Sequence, residues 1–387
     1  MEYKLPKGFK MAGVSAGIKK HVGKDLGLIY SEVCANAAGV FTKNIVQAAP
    51  VKISKERIKS GKCQAIIVNS GNANCCTGEE GLKDAASMTS FAASELNIPE
   101  NLVVVGSTGV IGEKLPIQKV LSAVPNLVAS LSNSGVLDFT HAIMTTDKFH
   151  KIAITEGEFT VTGIAKGAGM IRPDMATMLC FVCTDADIEP TLLDGMLHIA
   201  TDRSFNRISV DGDTSTNDTI IVMANGLSGV KILNDNKEVF QKSLDYVLLN
   251  LAKLVVKDGE GATKLVEIIV KGAKTKKDAR IVADTIAHSS LVKTALFGQD
   301  ANWGRILAAV GRSGIPINPD VVHVFFDDIM MVKNSMACKD AESKVNEVLK
   351  KSEFTITIDL NMGIEFDSVI TCDLTLEYVR INADYRS

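Results

Sequence analysis

Short apolar runs alternate with amphipathic segments along most of the chain. Residues 64–68 (QAIIV) and 102–105 (LVVV) are continuous apolar runs with the length of buried β-strands. Between them, apolar residues recur at helical spacing over residues 82–96, and Thr77 with Glu80 forms a capping-box pair ahead of them. The pattern therefore predicts a strand, a capped helix and a second strand.

The same alternation continues to the end of the sequence. Pro116 stands at a first helical turn, a position that suits proline because its missing N–H has no helical partner there. Further helices are predicted near residues 238–256 and 278–291, and further strands near 265–270, 321–326 and 354–359. Alternating helices and strands predict an α/β or α+β fold built in layers.

Residues 156–179 depart from this pattern. A short strand-like stretch is followed by KGAGMIRPDMATML, which is rich in glycine and contains a proline. A domain boundary and a functional loop both fit this composition, and composition alone leaves the two open.

Composition and charge exclude several classes of protein. The 387 residues allow two domains, or three, and their 46% hydrophobic and 22% charged content is that of a globular protein. Lys and Arg number 42 against 45 Asp and Glu, without a basic stripe, so we expect no nucleic-acid or anionic-membrane partner. No run of 18 apolar residues and no export signal is present, and the eight cysteines are scattered. We therefore expect a cytoplasmic protein with reduced thiols.

Common catalytic motifs occur only in incomplete form. Residues 13–17 match G-x-S-x-G, but too little chain precedes them to supply the sheet that a nucleophile elbow needs. Cys180 and Cys183 form a C-x-x-C inside an apolar run with no second ligand pair, which favours core cysteines over a zinc site or redox pair. Residues 166–169 (KGAG) lack the remaining glycine of a dinucleotide-binding loop.

An acidic segment, SVDGDTSTND, resembles a calcium loop. Asp211, Asp213 and Asp218 provide carboxylates, but Thr216 occupies the glycine position and no glutamate follows where a bidentate ligand is needed. The segment is therefore interpreted as a solvated loop or as the polar wall of a site, and no metal site is predicted.

One further kind of nucleophile requires a break in the chain. A threonine that becomes an N-terminus can use its own α-amine, with a reference pKa of about 7.7–8, as the base for its hydroxyl. Thr177 follows the glycine- and proline-rich turn and precedes a predicted strand, a pattern that suits cleavage of the Ala176–Thr177 bond. A purely structural threonine at a strand edge has the same pattern.

Motifs spread over the whole chain resemble the ornithine acetyltransferase (ArgJ) family. The segment KGAGMIRPDMATMLCFVCTDADI is similar to the self-cleavage segment of that family. Other similar blocks, in family order, are PKGFKMAGVSAGIKK, GVFTKN, NSGNANCCTG, GSTGVIGEKLP, MTTD, SVDGDTSTNDT, KDGEGATK, FGQDANWGRI and YVRINADYRS. The resemblance implies a self-cleaving layered sandwich of the N-terminal-nucleophile type, with an α chain of residues 1–176 and a β chain of residues 177–387.

The resemblance also implies the roles of particular residues. Thr177 would be the nucleophile, released by cleavage after Ala176, and Thr108 with Gly109 would form the oxyanion hole. We expect the GSTG residues to form an exposed turn directly after the 102–105 strand. The implied substrate contacts are Thr145 or Thr146, Lys166, Thr177, Glu260, Asn382 and Ser387. We add that Lys166 suits an α-carboxylate and Glu260 the δ-ammonium of ornithine.

The implied reaction passes an acetyl group from N-acetylornithine to glutamate through an acetyl-threonine ester, in arginine biosynthesis. It requires no metal or prosthetic group, acetyl-CoA stays open as a second acetyl donor, and a heterotetramer of two α and two β chains is expected. Two departures from the family pattern, Cys75 in place of alanine and a terminal Ser387 in place of threonine, leave the nucleophile intact. The alternatives are a related self-cleaving amidase or aminopeptidase and an uncleaved small-molecule binding protein.

Overall fold

The computed structural model describes residues 3–20, 22–172 and 178–384. The strands are β1 (Phe9–Val14), β2 (Leu26–Phe41), β3 (Lys62–Asn72), β4 (Val103–Val110), β5 (Lys151–Glu156), β6 (Thr160–Lys166), β7 (Leu179–Thr184), β8 (Asp187–Ile188), β9 (Ile208–Ser209), β10 (Thr219–Ala224), β11 (Lys231–Ile232), β12 (Leu265–Ala273), β13 (His323–Phe326), β14 (Ile329–Lys333), β15 (Met336–Ala337), β16 (Glu353–Asp359) and β17 (Glu365–Cys372). The α-helices are α1 (Ala49–Ile58), α2 (Gly78–Leu96), α3 (Ile117–Ala129), α4 (Val136–Ile143), α5 (Pro190–Arg203), α6 (Lys237–Lys257), α7 (Lys276–Ala287), α8 (Ser290–Phe297), α9 (Trp303–Gly311), α10 (Glu342–Lys350) and α11 (Leu376–Ala383).

The chain forms two compact units. The first comprises Met1–Asn206 and Asp213–Val255, and the second comprises Arg207–Gly212 and Val256–Ser387. Each unit has its own sheet, so each is described by itself.

A mixed sheet organises the first unit. Its strand order is β4-β3-β2-β10-β7-β6-β5, and β1 pairs with β2. The pairs β3/β4 and β7/β10 are parallel, whereas β2/β3, β2/β10 and β6/β7 are antiparallel. β6 and β7 are therefore neighbours in one sheet, on either side of the glycine-rich segment, and no boundary between compact units lies there.

Apolar side chains line both faces of this sheet. Ile67 and Val105 belong to a core that includes Met88 of α2 and Val120 of α3, whereas alternate residues such as Ile66 face a second core with Phe139 of α4. Because side chains alternate across a strand, both faces can be apolar only where helices cover both. The first unit is accordingly layered, as the sequence predicts.

The second unit contains a sheet in the order β15-β14-β13-β16-β12-β17-β9. β12 and β16 run parallel, β12 and β17 run antiparallel, and helix α7 contributes Val282 and Ile286 to the core beside Ile268 of β12. In the part of the chain described, no helix is long and apolar enough to cross a membrane.

Most predicted elements are confirmed, with three corrections. The helix predicted near 278–291 ends at Ala287, and α8 starts separately at Ser290. The Thr77 hydroxyl makes no capping bond to α2 and instead donates to Asn74 Oδ1 at 2.8 Å. The predicted strand at 102–105 continues as β4 through Val110, so GSTG is not an exposed turn, because it pairs with β3 along its length.

Candidate active site

Thr108 and Gly109 lie within β4, in an irregular stretch of its pairing with β3. Ser70 faces Thr108 and Gly71 faces Gly109, after which the register shifts so that Asn72 pairs with both Thr108 and Val110. Such a bulge redirects the backbone groups of a strand. Thr108 is buried, and Gly109 has a φ of +133°.

Only glycine fits at position 109. A Cβ atom there would lie 2.3 Å from the carbonyl carbon of Gly71 and 2.5 Å from the nitrogen of Asn72. Since the φ value is also one that L-residues rarely adopt, both the backbone conformation and the close approach of β3 require glycine. The geometry explains why a glycine follows Thr108.

Lys166 reaches Thr108 from the end of β6. Its Nζ donates a hydrogen bond to Thr108 Oγ1 at 3.0 Å, and the Lys166 side chain is only 3% exposed. Because the threonine oxygen accepts this bond, its own proton remains available for another acceptor. Two residues that the resemblance places in the oxyanion hole and the substrate site are thus in direct contact.

Asp147 connects the segment of Thr145 and Thr146 to the backbone beyond Lys166. Its Oδ2 accepts from the Thr145 N–H at 2.9 Å, and its Oδ1 accepts from Lys151 Nζ at 2.6 Å and from the Gly167 N–H at 2.8 Å. The side chains of Asp147 and Lys151 are both excluded from solvent. Burial raises the pKa of the Asp147 carboxyl, but the ammonium groups of Lys151 and Lys166 outweigh it and lower the pKa to about 2.

Asp147 belongs to the MTTD motif, and the family resemblance assigns it no role. Its position directly after Thr145 and Thr146, two candidates for substrate contact, is the sequence feature that could have indicated a role. Only the folded chain brings Lys151 and Gly167 to it, because they lie on β5 and after β6.

Lys19 is a further cation that the sequence analysis did not single out. Its stem lies over Gly71, where an added Cβ would meet Lys19 Cγ at 3.0 Å, and its Nζ donates to the Lys24 carbonyl at 2.8 Å. Burial lowers the pKa of this ammonium and the charge of Lys166 lowers it further, whereas Asp25 and Asp147 oppose the shift. Lys19 therefore adds positive charge near Lys166.

The segment SVDGDTSTND divides into exposed and buried residues. Asp213 is exposed, whereas Asp218 is completely buried, so the interpretation of a solvated loop is wrong for Asp218. Asn217 is also buried, and its Nδ2 donates to the carbonyl of Ala73 at 2.7 Å and to that of Ser107 at 2.8 Å. The end of this segment is thereby tied to the strand that carries Thr108.

Glu260 and Asn382 meet in the second unit. Glu260 is 7% exposed, and its Oε2 accepts a hydrogen bond from Asn382 Nδ2 at 2.9 Å. Asn382 lies in α11 and also donates to the Tyr378 carbonyl at 3.0 Å. A buried glutamate held by an amide keeps acceptor capacity for a cationic ligand group.

The remaining candidates from the sequence are the cleavage-site residues, the terminal serine, the C-x-x-C cysteines and a possible metal site. Ala176, Thr177 and Ser387 lie outside the described residues. Cys180 and Cys183 are buried in β7, which confirms them as core cysteines, and burial raises the pKa of both thiols. Among the described residues, no cluster of His, Cys, Asp and Glu is arranged to hold a metal ion.

Comparison with known proteins extends over nearly the whole chain. The model of the ArgJ family matches residues 10–387. The chain is 52% identical to the arginine biosynthesis bifunctional protein ArgJ of Geobacter sulfurreducens over 390 residues, which is 98% of this chain and 99% of that protein. It is 51% identical to the ArgJ protein of Caldanaerobacter subterraneus subsp. tengcongensis, over 99% of this chain and 98% of that protein.

A solved structure agrees with the fold. The crystal structure of the ArgJ protein from Bacillus halodurans is 42% identical and superimposes with a TM-score of 0.51, covering 52% of this chain and 97% of that chain. The layered α/β architecture of this family is therefore confirmed here. The chain belongs to the ArgJ family, and it is an acyltransferase of arginine biosynthesis.

Proposed function

We propose that this chain transfers the acetyl group of N-acetylornithine to glutamate through an ester on Thr177. The observation that carries the proposal is the buried hydrogen bond from Lys166 to Thr108 in a chain of the ArgJ family. This bond joins the Thr108 hydroxyl, which can donate to the developing negative charge, to the Lys166 ammonium, which suits a substrate carboxylate. The resemblance to the self-cleaving segment supplies the nucleophile.

The nucleophile requires cleavage of the Ala176–Thr177 bond. The new α-amine of Thr177 then accepts the proton of its own hydroxyl as the oxygen attacks the acetyl carbon. Cleavage would not separate the pieces, because β6 lies before the bond and β7 after it, and these strands pair over six positions from Val161↔Thr184 to Lys166↔Leu179.

The oxyanion hole would consist of the Thr108 hydroxyl and the Gly109 N–H. Charge develops on the acetyl oxygen as the tetrahedral intermediate forms, and preoriented donors stabilise it without reorganising. The bond from Lys166 holds the Thr108 oxygen in place and leaves its proton to point elsewhere. The constrained backbone at Gly109 fixes the direction of its N–H.

Substrate recognition follows the charges of N-acetylornithine. By charge, Lys166 suits the α-carboxylate, and Glu260, which accepts a hydrogen bond from Asn382, suits the δ-ammonium. The segment held by Asp147 supplies Thr145 or Thr146, and Ser387 completes the contacts that the family resemblance implies.

The second half of the reaction uses glutamate as acceptor. Ornithine leaves after the first half, with its nitrogen taking the proton that Thr177 released. The amine of glutamate then attacks the ester carbonyl and gives a proton to the α-amine of Thr177. The C–O bond to Thr177 breaks, the threonine oxygen takes that proton from the α-amine, and N-acetylglutamate forms. Acetyl-CoA can load the same threonine, since a thioester carbonyl needs the same nucleophile and oxyanion hole. We place this enzyme in the cytoplasm as a heterotetramer of two α and two β chains.

The test is intact mass and N-terminal sequencing of the purified wild type beside Thr177→Ala. We expect fragments of 176 and 211 residues in the wild type, the second beginning Thr-Met-Leu-Cys, and an intact chain in the variant. Incubation with N-acetylornithine and glutamate should then yield N-acetylglutamate. Release of acetate alone would identify a hydrolase, and an intact wild type that binds ligand without turnover would identify a binding protein.

A further inference from the structure

A buried carboxyl beside the start of β7 has no role in the chemistry above. Asp218 is 0% exposed, and its Oδ1 accepts a hydrogen bond from the Met178 N–H at 3.0 Å. Its Oδ2 has no hydrogen-bond partner among the described residues. A buried carboxylate with one oxygen unpaired is poorly stabilised, so this environment favours the neutral acid.

Asp218 and its neighbour hold Met178 from both sides. The N–H of Met178 donates to the Asp218 side chain, and its carbonyl accepts from the Thr219 N–H at 3.1 Å. Thr219 also begins β10, which continues parallel to β7 from the Thr219↔Leu179 pair. Both peptide groups of the residue that follows Thr177 are therefore fixed by two consecutive residues, Asp218 directly before β10 and Thr219 at its start.

The carboxyl itself is anchored in the sheet. The carbonyl of Asp218 accepts from the Thr42 N–H at 3.0 Å, directly after β2, and β10 pairs with β2 from Thr219↔Phe41 onward. The hydrogen bond to Met178 thus comes from the residue directly before β10, a strand that is paired on both sides, and such a support has little freedom to move.

We propose that Asp218 is a positioning residue that holds the peptide after Thr177 and so directs the threonine for self-cleavage and acetyl transfer. The inference rests on the proposed function. Thr177 is joined to Met178 by one planar peptide, so fixing the Met178 N–H fixes the direction in which the backbone leaves the nucleophile. A displacement of about 1 Å in a reacting group can cost about 100-fold in rate.

The charge of Asp218 also affects the α-amine of Thr177, which is the base proposed for acetyl transfer. Burial raises the pKa of this carboxyl well above its ordinary value, although the Met178 N–H, the Lys166 ammonium and the hydroxyls of Ser215 and Thr42 act in the opposite direction. An ionised Asp218 one residue from the Thr177 amine would raise the pKa of that amine and keep it protonated. A protonated amine cannot accept the hydroxyl proton.

The cleavage step that Asp218 assists leaves the carboxyl unchanged. Thr177 Oγ attacks the carbonyl carbon of Ala176, the Ala176 C–N bond breaks, and the nitrogen takes the hydroxyl proton. Water then hydrolyses the resulting ester, which restores the Thr177 hydroxyl and releases the Ala176 carboxylate. Asp218 exchanges no atom with the reacting groups.

The experiment compares Asp218→Asn with Asp218→Ala in the full-length chain. Asparagine keeps an acceptor for the Met178 N–H and mimics the neutral acid, whereas alanine removes the acceptor. Asp185→Asn is the matched control, since Asp185 is also buried and accepts from the backbone N–H groups of Lys7 and Thr160. Cleavage is followed by intact mass after cell-free synthesis, and acetyl transfer by the cleaved enzymes is measured over buffers from acidic to alkaline pH.

We expect Asp218→Asn to cleave within about tenfold of the wild type and Asp218→Ala to cleave about 100-fold more slowly. In the cleaved enzymes, the wild-type rate of acetyl transfer should fall at alkaline pH as Asp218 ionises and the Thr177 amine keeps its proton, and this fall should be absent in Asp218→Asn but kept in Asp185→Asn. Equal slowing of cleavage in the asparagine and alanine variants would overturn the inference, and so would identical pH profiles of acetyl transfer in Asp218→Asn and wild type. The pH comparison needs only the isosteric variant, so it decides the question even where Asp218→Ala does not fold.

The two proposals fail in different ways. A wild type that stays intact overturns the proposed function and this inference with it. A wild type that is cut and active, beside an Asp218→Ala that is cut equally fast, overturns the role of Asp218 alone.

Discussion

The ammonium of Lys166 and the hydroxyl oxygen of Thr108 are 3.0 Å apart, and both side chains are buried. The lysine ends β6 and the threonine lies in β4, at separate places in the same sheet. A buried ammonium is stable only when its donors find acceptors. Under the proposed function, the substrate carboxylate also contacts Lys166, which would couple substrate binding to the proposed oxyanion hole.

Lys166→Met should therefore impair the chemical step as well as binding. Removing the ammonium deletes the proposed partner of the carboxylate and releases the Thr108 hydroxyl that is proposed for the oxyanion hole. Loss of one oxyanion-hole donor costs about 100- to 1,000-fold in kcat, so we expect a fall in kcat of up to that size. Formation of N-acetylglutamate by the variant measures this loss. Lys52→Met, on the exposed side of α1, is the control and should retain wild-type rates. A variant that changes KM without changing kcat would contradict the coupling.

Gly109→Ala should destabilise the β3/β4 pair, because its Cβ would overlap the Gly71 carbonyl carbon and the Asn72 nitrogen. Gly112→Ala is the matched control, since Gly112 also has a positive φ, of +85°, but an open space around the added Cβ. We expect Gly112→Ala to lose about 1–3 kcal/mol from backbone strain and Gly109→Ala to lose more. Urea unfolding in a Thr177→Ala background, which should keep the chain intact, gives both free energies.

Asp147→Asn should lower the free energy of unfolding, and the loss should be largest at neutral pH. Because the folded pKa of Asp147 is about 2, below the ordinary 3.8, the stabilisation is complete above 3.8 and is lost as pH falls through about 2. At neutral pH the variant leaves the Lys151 ammonium buried without its counter-ion, at a cost of about 3–5 kcal/mol. Unfolding of both proteins, measured from neutral to acidic pH, should show the difference shrinking toward acid. A constant difference would exclude the ion pair as its source.

The contribution of Asp218 to the free energy of unfolding should change with pH in the direction opposite to that of Asp147. Since its folded pKa is raised above the ordinary 3.8, the folded chain holds a proton that the unfolded chain has released. The free energy of unfolding therefore declines as pH rises from about 3.8 through the folded pKa. In the Thr177→Ala background, Asp218→Asn should remove this decline and exceed the parent chain in stability at alkaline pH. Asp185→Asn should leave it in place.

Glu260→Gln should separate the two half-reactions. The substitution removes the carboxylate that is proposed to pair with the δ-ammonium of ornithine, whereas glutamate carries no such ammonium. We expect KM for N-acetylornithine to rise by about tenfold or more, the equivalent of about 1.4 kcal/mol, with deacetylation of the acetyl-enzyme by glutamate unchanged. Single-turnover kinetics of each half-reaction measure the two effects. Equal impairment of both would contradict the assignment of Glu260 to ornithine.

Local sequence patterns predict the presence of helices and strands better than the residues at which they begin and end. Residues 64–68 and 354–359 are apolar at the positions that the cores require, and both are strands in the structure. The break between α7 and α8 was missed, because the sequence stays compatible with helix while His288 ends α7 and Ser289 caps α8 by accepting from the Val292 N–H. The predicted turn at GSTG failed because glycine and serine favour turns locally, whereas pairing with β3 keeps these residues in a strand.

By itself, the sequence determined the layered class of the fold, the absence of a basic surface stripe, the family and the residues proposed for its chemistry. These follow from local periodicity, net composition and ordered motifs, all of which are properties of neighbouring residues. Only the tertiary structure decided that Lys166 contacts Thr108, that Asp147 joins Thr145 to Gly167, and that Asp218 holds Met178. Apart from the local bond between Asp147 and the Thr145 N–H, these contacts connect segments that are distant in sequence. Burial raises the pKa of both carboxyls, but the Lys151 ammonium that is hydrogen-bonded to Asp147, together with Lys166, lowers the pKa of Asp147 below its ordinary value, whereas the pKa of Asp218 stays raised.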